Sequence, residues 1–317
     1  MQAILLLCFL SIIARGESTA NSVNLSGDIM SLNFYPHKGI FLLSPHLTTT
    51  LNNQAKSSST GVSSSIFDNE YVLALSYGLG TRLRLNISES VLWDESIDSG
   101  ASPTGGNNVA TSAGLSNPTF SVTWRFLENA ASGLSGDVGT SIIPSVGHKV
   151  AADPTLFTIG NNVTGATTML MSAALFWRGG FLELEIAGLA TRQFGGRTEG
   201  STTGNSSNGE GYSSYNLTFA DRIHLSSQVY LNTSATVLLP YQHKLDYDNG
   251  VIRTNKMPTY WRPRIDLGFR PEPYTAIQFS VYGSKYTNTV TNSANSNMTS
   301  TATQSLIAEA TMLVQFW

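Results

Sequence analysis

Two kinds of connection alternate along this chain between segments that resemble β-strands. One kind is short, and the other is long and rich in Ser, Asn, Gly and Thr. A soluble sheet does not require that order, but an outer-membrane barrel has short periplasmic turns and long external loops. The connections separate about twelve strands, an even number that leaves both ends of the chain on the periplasmic side. The short connections are expected at 78–81, 128–133, 178–180, 221–224 and 270–273, and the long ones at 53–64, 94–113, 147–165, 194–209, 242–255 and 288–303.

Within the segments, apolar and polar residues alternate, as they do where the two faces of a strand meet different surroundings. Leu83, Leu85 and Ile87 share one face, and Arg82 and Arg84 lie on the other. An arginine that faced lipid at the bilayer midplane would cost about 2–4 kcal/mol, so the arginine-bearing face is predicted to point inward. The same alternation recurs at 119–126, 182–186, 228–237, 261–269 and 277–282.

A soluble sandwich shows the same alternation with its apolar face inward, so the width of the barrel decides between the two folds. A barrel of about twelve strands is too wide for side chains to fill, and a polar interior can hold water. The prediction is therefore an all-β fold, a transmembrane antiparallel up-and-down β-barrel of about 12 strands, in the bacterial outer membrane. Charges in a confined lumen are expected to form a network of ion pairs. The charged side chains predicted to line the lumen are Arg82, Arg84, Arg125, Glu183, Glu185, Arg262, Arg264 and Asp266.

The internal tryptophans all fall on the apolar face of their segments and near strand ends. Trp124 and Trp177 lie beside short connections, whereas Trp93 and Trp261 lie beside long ones. This placement is typical of two aromatic girdles, one at each membrane interface, and ordinary core tryptophans are the alternative.

The C-terminus resembles that of bacterial barrels, which end on an aromatic residue that the barrel-assembly machinery reads. Phe316 continues the apolar face of the last segment, and Trp317 follows on the opposite face. Either residue can therefore be the equivalent of that terminal aromatic. The expected partners are this machinery, outer-membrane lipid with lipopolysaccharide, and a small-molecule solute, and the barrel is expected to be a monomer.

The N-terminus has the features of a signal peptide. Its apolar run from Ala3 to Ala14 is about 12 residues long, whereas a helix that spans a bilayer needs about 20. Ser18 and Ala20 have the spacing of a signal-peptidase site, and Ala14 and Gly16 are a second option. Residues 1–20 are therefore assigned to the signal peptide, 21–39 to a segment that either tethers in the periplasm or enters the lumen as a partial plug, and 40–317 to the barrel.

Composition excludes several classes of function. Only 12% of the residues are charged and the formal net charge is −3, whereas a nucleic-acid binder needs a basic face. The only cysteine, Cys8, lies in the leader, so the mature chain has no disulfide, which suits the bacterial envelope. Because the sequence contains no metal-ligand spacing or cofactor motif, neither a metal nor a cofactor is expected.

Two stretches are similar to a known family. Residues 71–91, YVLALSYGLGTRLRLNISESV, have the pattern of a strand, a turn and a strand. Residues 114–126, GLSNPTFSVTWRF, open on glycine and end on an aromatic, an arginine and Phe126. Together they resemble the outer-membrane family named for the MetA pathway of phenol degradation, whose members usually carry Asp where Asn117 stands. The resemblance implies an outer-membrane barrel associated with uptake of aromatic or other hydrophobic small molecules.

An outer-membrane hydrolase is the competing interpretation from another class of protein. Ser44 and His46 share a face of the first strand, but a nucleophile and its base should approach from different strands with a third orienting group. Glu183 and Glu185 lie about 6–7 Å apart on one face, near the separation used by glycosidases, yet the arginines on the same face favour a lumen-lining role. No catalytic residue is assigned, and the chain is predicted not to be an enzyme. The predicted function is a channel or transporter for small hydrophobic or aromatic solutes, and the alternative is a structural or surface-interaction barrel with a closed lumen.

Overall fold

The computed structural model describes residues 29, 31–32, 34–57, 63–98, 109–147, 149–150, 160–161, 165–200, 206–294 and 298–316. At residues 57, 63, 93–98, 109–110 and 160–161 the description covers the backbone alone. The predicted signal peptide, its cleavage site, Cys8, Trp317 and the side chain of Trp93 lie outside the described residues. Within these ranges, no helix is long and apolar enough to cross a membrane.

The described residues form one sheet of nineteen strand segments. Their alternating, Thr- and Val-rich sequences suit a strand whose two faces differ in polarity. In chain order the segments are β1 (Phe41–Ser57), β2 (Ser63–Gly78), β3 (Leu83–Asp98), β4 (Val109–Leu115), β5 (Thr119–Asn129), β6 (Leu134–Ile143), β7 (Lys149–Val150), β8 (Gly160–Asn161), β9 (Thr168–Gly179), β10 (Leu182–Gln193), β11 (Gly196–Glu199), β12 (Ser207–Gly209), β13 (Tyr212–His224), β14 (Val229–Leu238), β15 (Tyr241–Tyr247), β16 (Ile252–Met257), β17 (Tyr260–Glu272), β18 (Thr275–Asn292) and β19 (Met298–Phe316).

The sheet closes on itself as a barrel of twelve antiparallel wall strands, which confirms the predicted fold class. Five wall strands consist of two consecutive segments each: β4 with β5, β10 with β11, β12 with β13, β14 with β15, and β16 with β17. Closure comes from β1, which pairs with β2 on one side and with β19 on the other. At this seam Phe41 is opposite Phe316, and their rings stack with centroids 5.6 Å apart. Because the barrel is closed, the wall has no edge strand to expose unpaired backbone groups to lipid.

The outer face of the wall is apolar and the inner face is polar. Trp124 is 50% exposed on the outside, whereas its chain neighbour Arg125 is 1% exposed on the inside. Ile186 and Glu183, at 53% and 2%, show the same contrast in β10. A soluble protein buries its large apolar side chains, so this inverted distribution matches lipid as the outer solvent.

The structure differs from the sequence prediction at the long connections. The predicted loop at 53–64 is largely strand, because β1 continues to Ser57 and β2 begins at Ser63. The predicted loop at 242–255 is a hairpin of β15 and β16. Thr favours strands, and polar side chains can face water on both sides of a strand, so the hairpins extend in pairs beyond the apolar belt. In the long connection after β6, the short segment β8 pairs in parallel with β4, and β7 pairs in parallel with β11. These pairings attach the connection to the extended ends of the wall strands.

One predicted turn is displaced. Residues 221–224 were expected to be a short connection, but β13 continues to His224 and the turn follows at 225–228. The turn forms there because Ser226 Oγ accepts hydrogen bonds from the backbone N–H groups of Gln228 and Val229, each at 3.1 Å. The Asp221 carboxylate accepts a hydrogen bond from Thr233 Oγ1 on the neighbouring strand β14, so it does not cap a turn.

A small apolar cluster lies inside the barrel against the N-terminal segment, by which we mean the described residues among 29–40. Ile29 of this segment is buried with Leu42, Tyr230 and Ala276 from three wall strands. The segment then passes the β2–β3 turn, where the N–H of Gly39 donates to the carbonyl of Gly78 at 2.9 Å, and continues into β1. The first described residues are therefore held against the inner wall by apolar packing as well as by hydrogen bonds.

Replacing Gly268 with alanine should destabilise the barrel by about 1–3 kcal/mol, because the new methyl group overpacks the inner wall. A Cβ at this position would lie 1.9 Å from Cζ of Tyr230, whose ring is 2% exposed and cannot easily move. Gly188→Ala is the matched control, since its Cβ would meet no atom within 4 Å. Urea unfolding followed by tryptophan fluorescence measures both variants. Equal midpoints for the two would contradict the close contact with Tyr230.

Candidate functional site

The candidate site is the polar inner wall, and Glu183 on β10 is its best-connected carboxylate. Ser31 Oγ donates to both carboxylate oxygens at 3.1 Å, and the backbone N–H of Leu32 donates to Oε2 at 2.6 Å. From the wall, Arg178 Nε lies 3.3 Å from Oε1 and His224 Nε2 lies 3.0 Å from it. A buried carboxylate is stable only when it is compensated in this way. Glu183 therefore joins the N-terminal segment to the barrel wall.

Tyr35 is the second point at which the N-terminal segment is held. Its side chain is 2% exposed, and its hydroxyl donates to the carbonyl of Thr123 at 2.7 Å. The guanidinium carbons of Arg125 and Arg84 lie 4.4 and 5.2 Å from the ring centroid, in cation–π geometry. Burial raises the pKa of Tyr35 to about 12, although the positive charges of Arg84 and Arg125 oppose that shift. The phenol is therefore neutral at physiological pH and keeps its hydrogen-bond donor.

A third group of contacts crosses the seam of the barrel around Arg264. Its guanidinium donates to Asp266 Oδ1 at 2.6 Å, to Ser280 Oγ at 2.7 Å and to both oxygens of Glu309 at 3.1 and 3.2 Å. Thr311 Oγ1 donates to Glu309 at 2.9 Å and lies 2.9 Å from Nδ1 of His46. These contacts link β17, β18, β19 and β1, so one arginine connects the last three wall strands to the first.

The structure brings several of the predicted lumen residues into contact and leaves others apart. Arg125 is buried and paired with Asp137 at 2.8 Å, and Arg264 is paired with Asp266. Arg84 is half-buried beside Tyr35, and Glu185 is half-buried on the same face as Glu183. The two predicted lumen residues with exposed side chains are Arg82, next to the β2–β3 turn, and Arg262, near the start of β17.

Sequence reasoning missed several charged and aromatic residues of the inner wall. Asp137 is directly opposite Arg125 in the β5–β6 pairing, which alternation within β6 could have shown once the register was known. Arg222 was assigned to a turn, but its guanidinium lies 3.9 Å from the ring centroid of Tyr230. No local signal could have found Tyr35, since its partners are far away in the sequence. The missed residues include Tyr35, Asp137, Arg222, Tyr230 and Glu309.

The predicted girdle residues with described side chains lie on the outside. Trp124, Trp177 and Trp261 are 50%, 39% and 57% exposed. Trp177 is next to the β9–β10 turn and Trp261 is near the other end of the wall, at the start of β17. Phe316 is the last described residue and closes the seam against Phe41.

The residues weighed for a hydrolase have other contacts. Ser44 and His46 both lie on the inner face of β1, but the partner of His46 is Thr311, which belongs to β19. Glu309 accepts a hydrogen bond from Thr311 and lies 3.7 Å from His46 Nδ1, inside the Arg264 group. Within the described part of the chain, His, Cys, Asp and Glu side chains do not gather into a group that could hold a metal ion.

An ion pair of a different kind connects the external hairpins. Arg197 of β11 donates to both carboxylate oxygens of Asp248, at 3.2 and 2.8 Å. The hydrogen bonds from Arg197 lower the pKa of Asp248, and both side chains are exposed to water. A solvated pair of this kind contributes little to stability.

Comparison with known proteins supports the fold. No family model matches the sequence, and no curated protein matches it significantly. An outer membrane channel from Pseudomonas putida F1 has a similar solved structure, with a TM-score of 0.65 and 13% sequence identity, over 93% of this chain and 100% of that one. At that identity the similarity shows the fold alone. Together with the apolar outer face of the wall, it places the chain in the bacterial outer membrane.

Two further solved barrels are more distant. The toluene transporter TbuX from Ralstonia pickettii has a TM-score of 0.40 and 8% identity, over 87% of this chain and 90% of that one. The outer membrane protease OmpT from Escherichia coli has a TM-score of 0.35 and 7% identity, over 87% and 97%. Neither similarity is strong enough to support an argument about function.

Proposed function

We propose that this barrel is an outer-membrane channel for small hydrophobic or aromatic solutes. The observation that carries the proposal is a closed wall with a charged, hydrogen-bonded inner face and an apolar outer face. A wall of this width encloses more space than its own side chains fill. The class of solute rests on the resemblance of residues 71–91 and 114–126 to the family named for phenol degradation.

The N-terminal segment is proposed to be a partial plug of this channel. Ile29, Ser31 and Tyr35 are almost fully buried against the inner wall. Ile29 packs on β1, β14 and β18, whereas Tyr35 bonds to Thr123 on β5, so the segment contacts separate parts of the wall. A segment held across the lumen narrows the passage without changing the wall. Phe316 or Trp317 is proposed to be the signal for the assembly machinery, and the barrel is proposed to function as a monomer.

Conductance of single molecules in planar lipid bilayers tests the channel. The purified full-length protein is expected to give stable open steps, small because the plug narrows the lumen. Liposome swelling with an uncharged aromatic solute such as benzyl alcohol should be faster than with a sugar of larger size. A protein that is folded, as judged by its shifted mobility on gels before boiling, yet silent in the bilayer would refute the channel.

A closed barrel with a structural or surface-interaction role is the second candidate. The seating of the N-terminal segment across the lumen and the long external hairpins β15–β16 and β18–β19 favour it. A silent, correctly folded protein is the result that this candidate predicts. Esterase and lipase assays before and after His46→Ala test for a hydrolase.

A further inference from the structure

Two neighbouring wall strands are interrupted, and a tyrosine begins the strand segment after each interruption. The strand made of β14 and β15 breaks at Pro240, and the strand made of β16 and β17 breaks at Pro258. Proline cannot donate to the ladder, so it interrupts a strand at such positions. The two breaks are level with each other, because Tyr241 and Met257 beside them are paired. Each break is followed at once by an aromatic residue, Tyr241 in β15 and Tyr260 in β17.

Four tyrosines gather at this level, and we call Tyr212, Tyr241, Tyr260 and Tyr286 the tyrosine shelf. Tyr212 and Tyr241 are stacked with ring centroids 5.1 Å apart and planes 9° from parallel. Tyr260 and Tyr286 are stacked with centroids 4.4 Å apart. Leu238 is paired with Tyr260 and Tyr241 with Met257, so the strands that carry the two stacks are neighbours at this level. His243 lies 5.2 Å from Tyr212 and extends the shelf along β15.

The tyrosine shelf faces the lumen. Side chains on a strand alternate between its two faces. Trp261 faces outward, so its chain neighbour Tyr260 faces inward, where it is 9% exposed. Tyr215 also faces outward at 53% exposure, and Tyr212 lies three residues before it on the other face. The remaining two tyrosines stack on these, so all four lie on the inner side of the wall, where Tyr260 is buried and the other three are half-buried.

A positive charge stands beside the shelf. Arg262 lies two residues after Tyr260 in β17, so its side chain leaves the strand on the same face as the Tyr260 ring. Its side chain is exposed, and among the described residues no carboxylate pairs with it. Arg264, two residues further, is by contrast already bound to Asp266 and Glu309. An exposed guanidinium without an ion-pair partner, next to half-buried tyrosine rings, can bind an anion that carries a ring.

We propose that the tyrosine shelf and Arg262 form a binding site for a planar aromatic carboxylate on the inner wall. The ring of the ligand lies against the tyrosine faces, and its carboxylate accepts hydrogen bonds from the Arg262 guanidinium. The proposal rests on the proposed channel function, because it names the class of solute and the place where that solute binds during passage. A neutral aromatic would gain the stacking but not the ion pair.

Equilibrium dialysis of radiolabelled benzoate against the folded full chain in detergent micelles tests the site. Arg262→Gln should weaken benzoate binding about 10-fold, because a charge-assisted bidentate contact is lost. Tyr286→Leu should weaken it about 5-fold through loss of a ring face, whereas Tyr286→Phe keeps the ring and should bind like the wild type. Arg82→Gln is the matched control, since Arg82 is equally exposed but lies beside the β2–β3 turn. Cyclohexanecarboxylate, which has the same charge but no aromatic face, should compete about 5-fold less well than unlabelled benzoate.

The outcomes separate this site from the channel. Equal competition by benzoate and cyclohexanecarboxylate would overturn the role of the tyrosine shelf. If Arg82→Gln and Arg262→Gln lose the same benzoate affinity, the binding reflects general attraction by positive charge. That result would overturn the role of Arg262. Conductance without benzoate is measured on the same samples. A silent protein that binds benzoate with the expected pattern would refute the channel alone, and a conducting protein whose benzoate affinity is unchanged in every variant would refute the site alone.

Discussion

Glu183→Gln is expected to release the N-terminal segment from the inner wall and to raise the single-channel conductance of the barrel. The substitution keeps the shape of the side chain but removes the charge that attracts Ser31 Oγ, the N–H of Leu32, Arg178 and His224. Hydrogen bonds to charged groups are worth about 1.5–3 kcal/mol each, so losing even one such contribution should raise the population of the displaced segment about 10-fold or more. Tyr35 and Ile29 would still hold part of the segment, so we expect frequent openings in place of a permanently open pore.

Glu185→Gln is the control for this experiment. Glu185 is two residues away on the same face of β10, and no hydrogen bond from the described N-terminal residues to it is present. The readouts are bilayer conductance and the rate at which a protease cuts the chain before residue 40. Both should increase in Glu183→Gln and stay near wild type in Glu185→Gln. If the two variants behave alike, the Glu183 contacts do not hold the segment in place.

Arg264→Met is expected to be the most destabilising single substitution on the inner wall. The change leaves Asp266 and Glu309, whose side chains are 3% and 14% exposed, without their cation and removes the donor to Ser280. Removing one partner of a buried ion pair typically costs about 3–5 kcal/mol, because a charge is left uncompensated. These contacts also lie at the seam, so their loss weakens the pairing that closes the barrel.

Arg262→Met tests whether this cost comes from the network or from the loss of any arginine. Arg262 is on the same strand and the same face, but its side chain is exposed and is not part of the network. Urea unfolding in lipid vesicles and the temperature at which the gel mobility shift is lost should place Arg264→Met well below Arg262→Met. A double variant, Arg264→Met with Glu309→Gln, should recover part of the loss. Equal stability of the two single variants would show that the network does not stabilise the seam.

The sequence was sufficient to predict the strands of the wall and their two faces. It was insufficient to predict which side chains contact each other inside the barrel. Alternation around Trp124 and Arg125 assigns them to opposite faces, because strand geometry leaves only two directions for a side chain. The contact of Tyr35 with Thr123 spans 88 residues and that of Ser31 with Glu183 spans 152, and no local pattern specifies such a pairing. The tethered and the inserted arrangement of the N-terminal segment were therefore equally compatible with its sequence.

Strand ends were the other weak point of prediction. Runs of Ser, Thr and Asn were interpreted as loops, but in β1 and β2 they are paired strand, since polar residues are not penalised where both faces meet water. The turn expected at 221–224 was misplaced because Asp and Arg are common in turns, yet in this chain they belong to the end of β13. A change to polar composition indicates where a strand leaves the lipid, but it does not indicate where hydrogen bonding to the neighbouring strand ends.

The pairing of β1 with β19 makes the order of synthesis matter for insertion. The strand that completes the circle is the most C-terminal one described, so every shorter nascent chain carries two open edges that would recruit neighbouring strands. Without β19, β1 and β18 would each keep an unpaired edge, so the closed wall requires this strand.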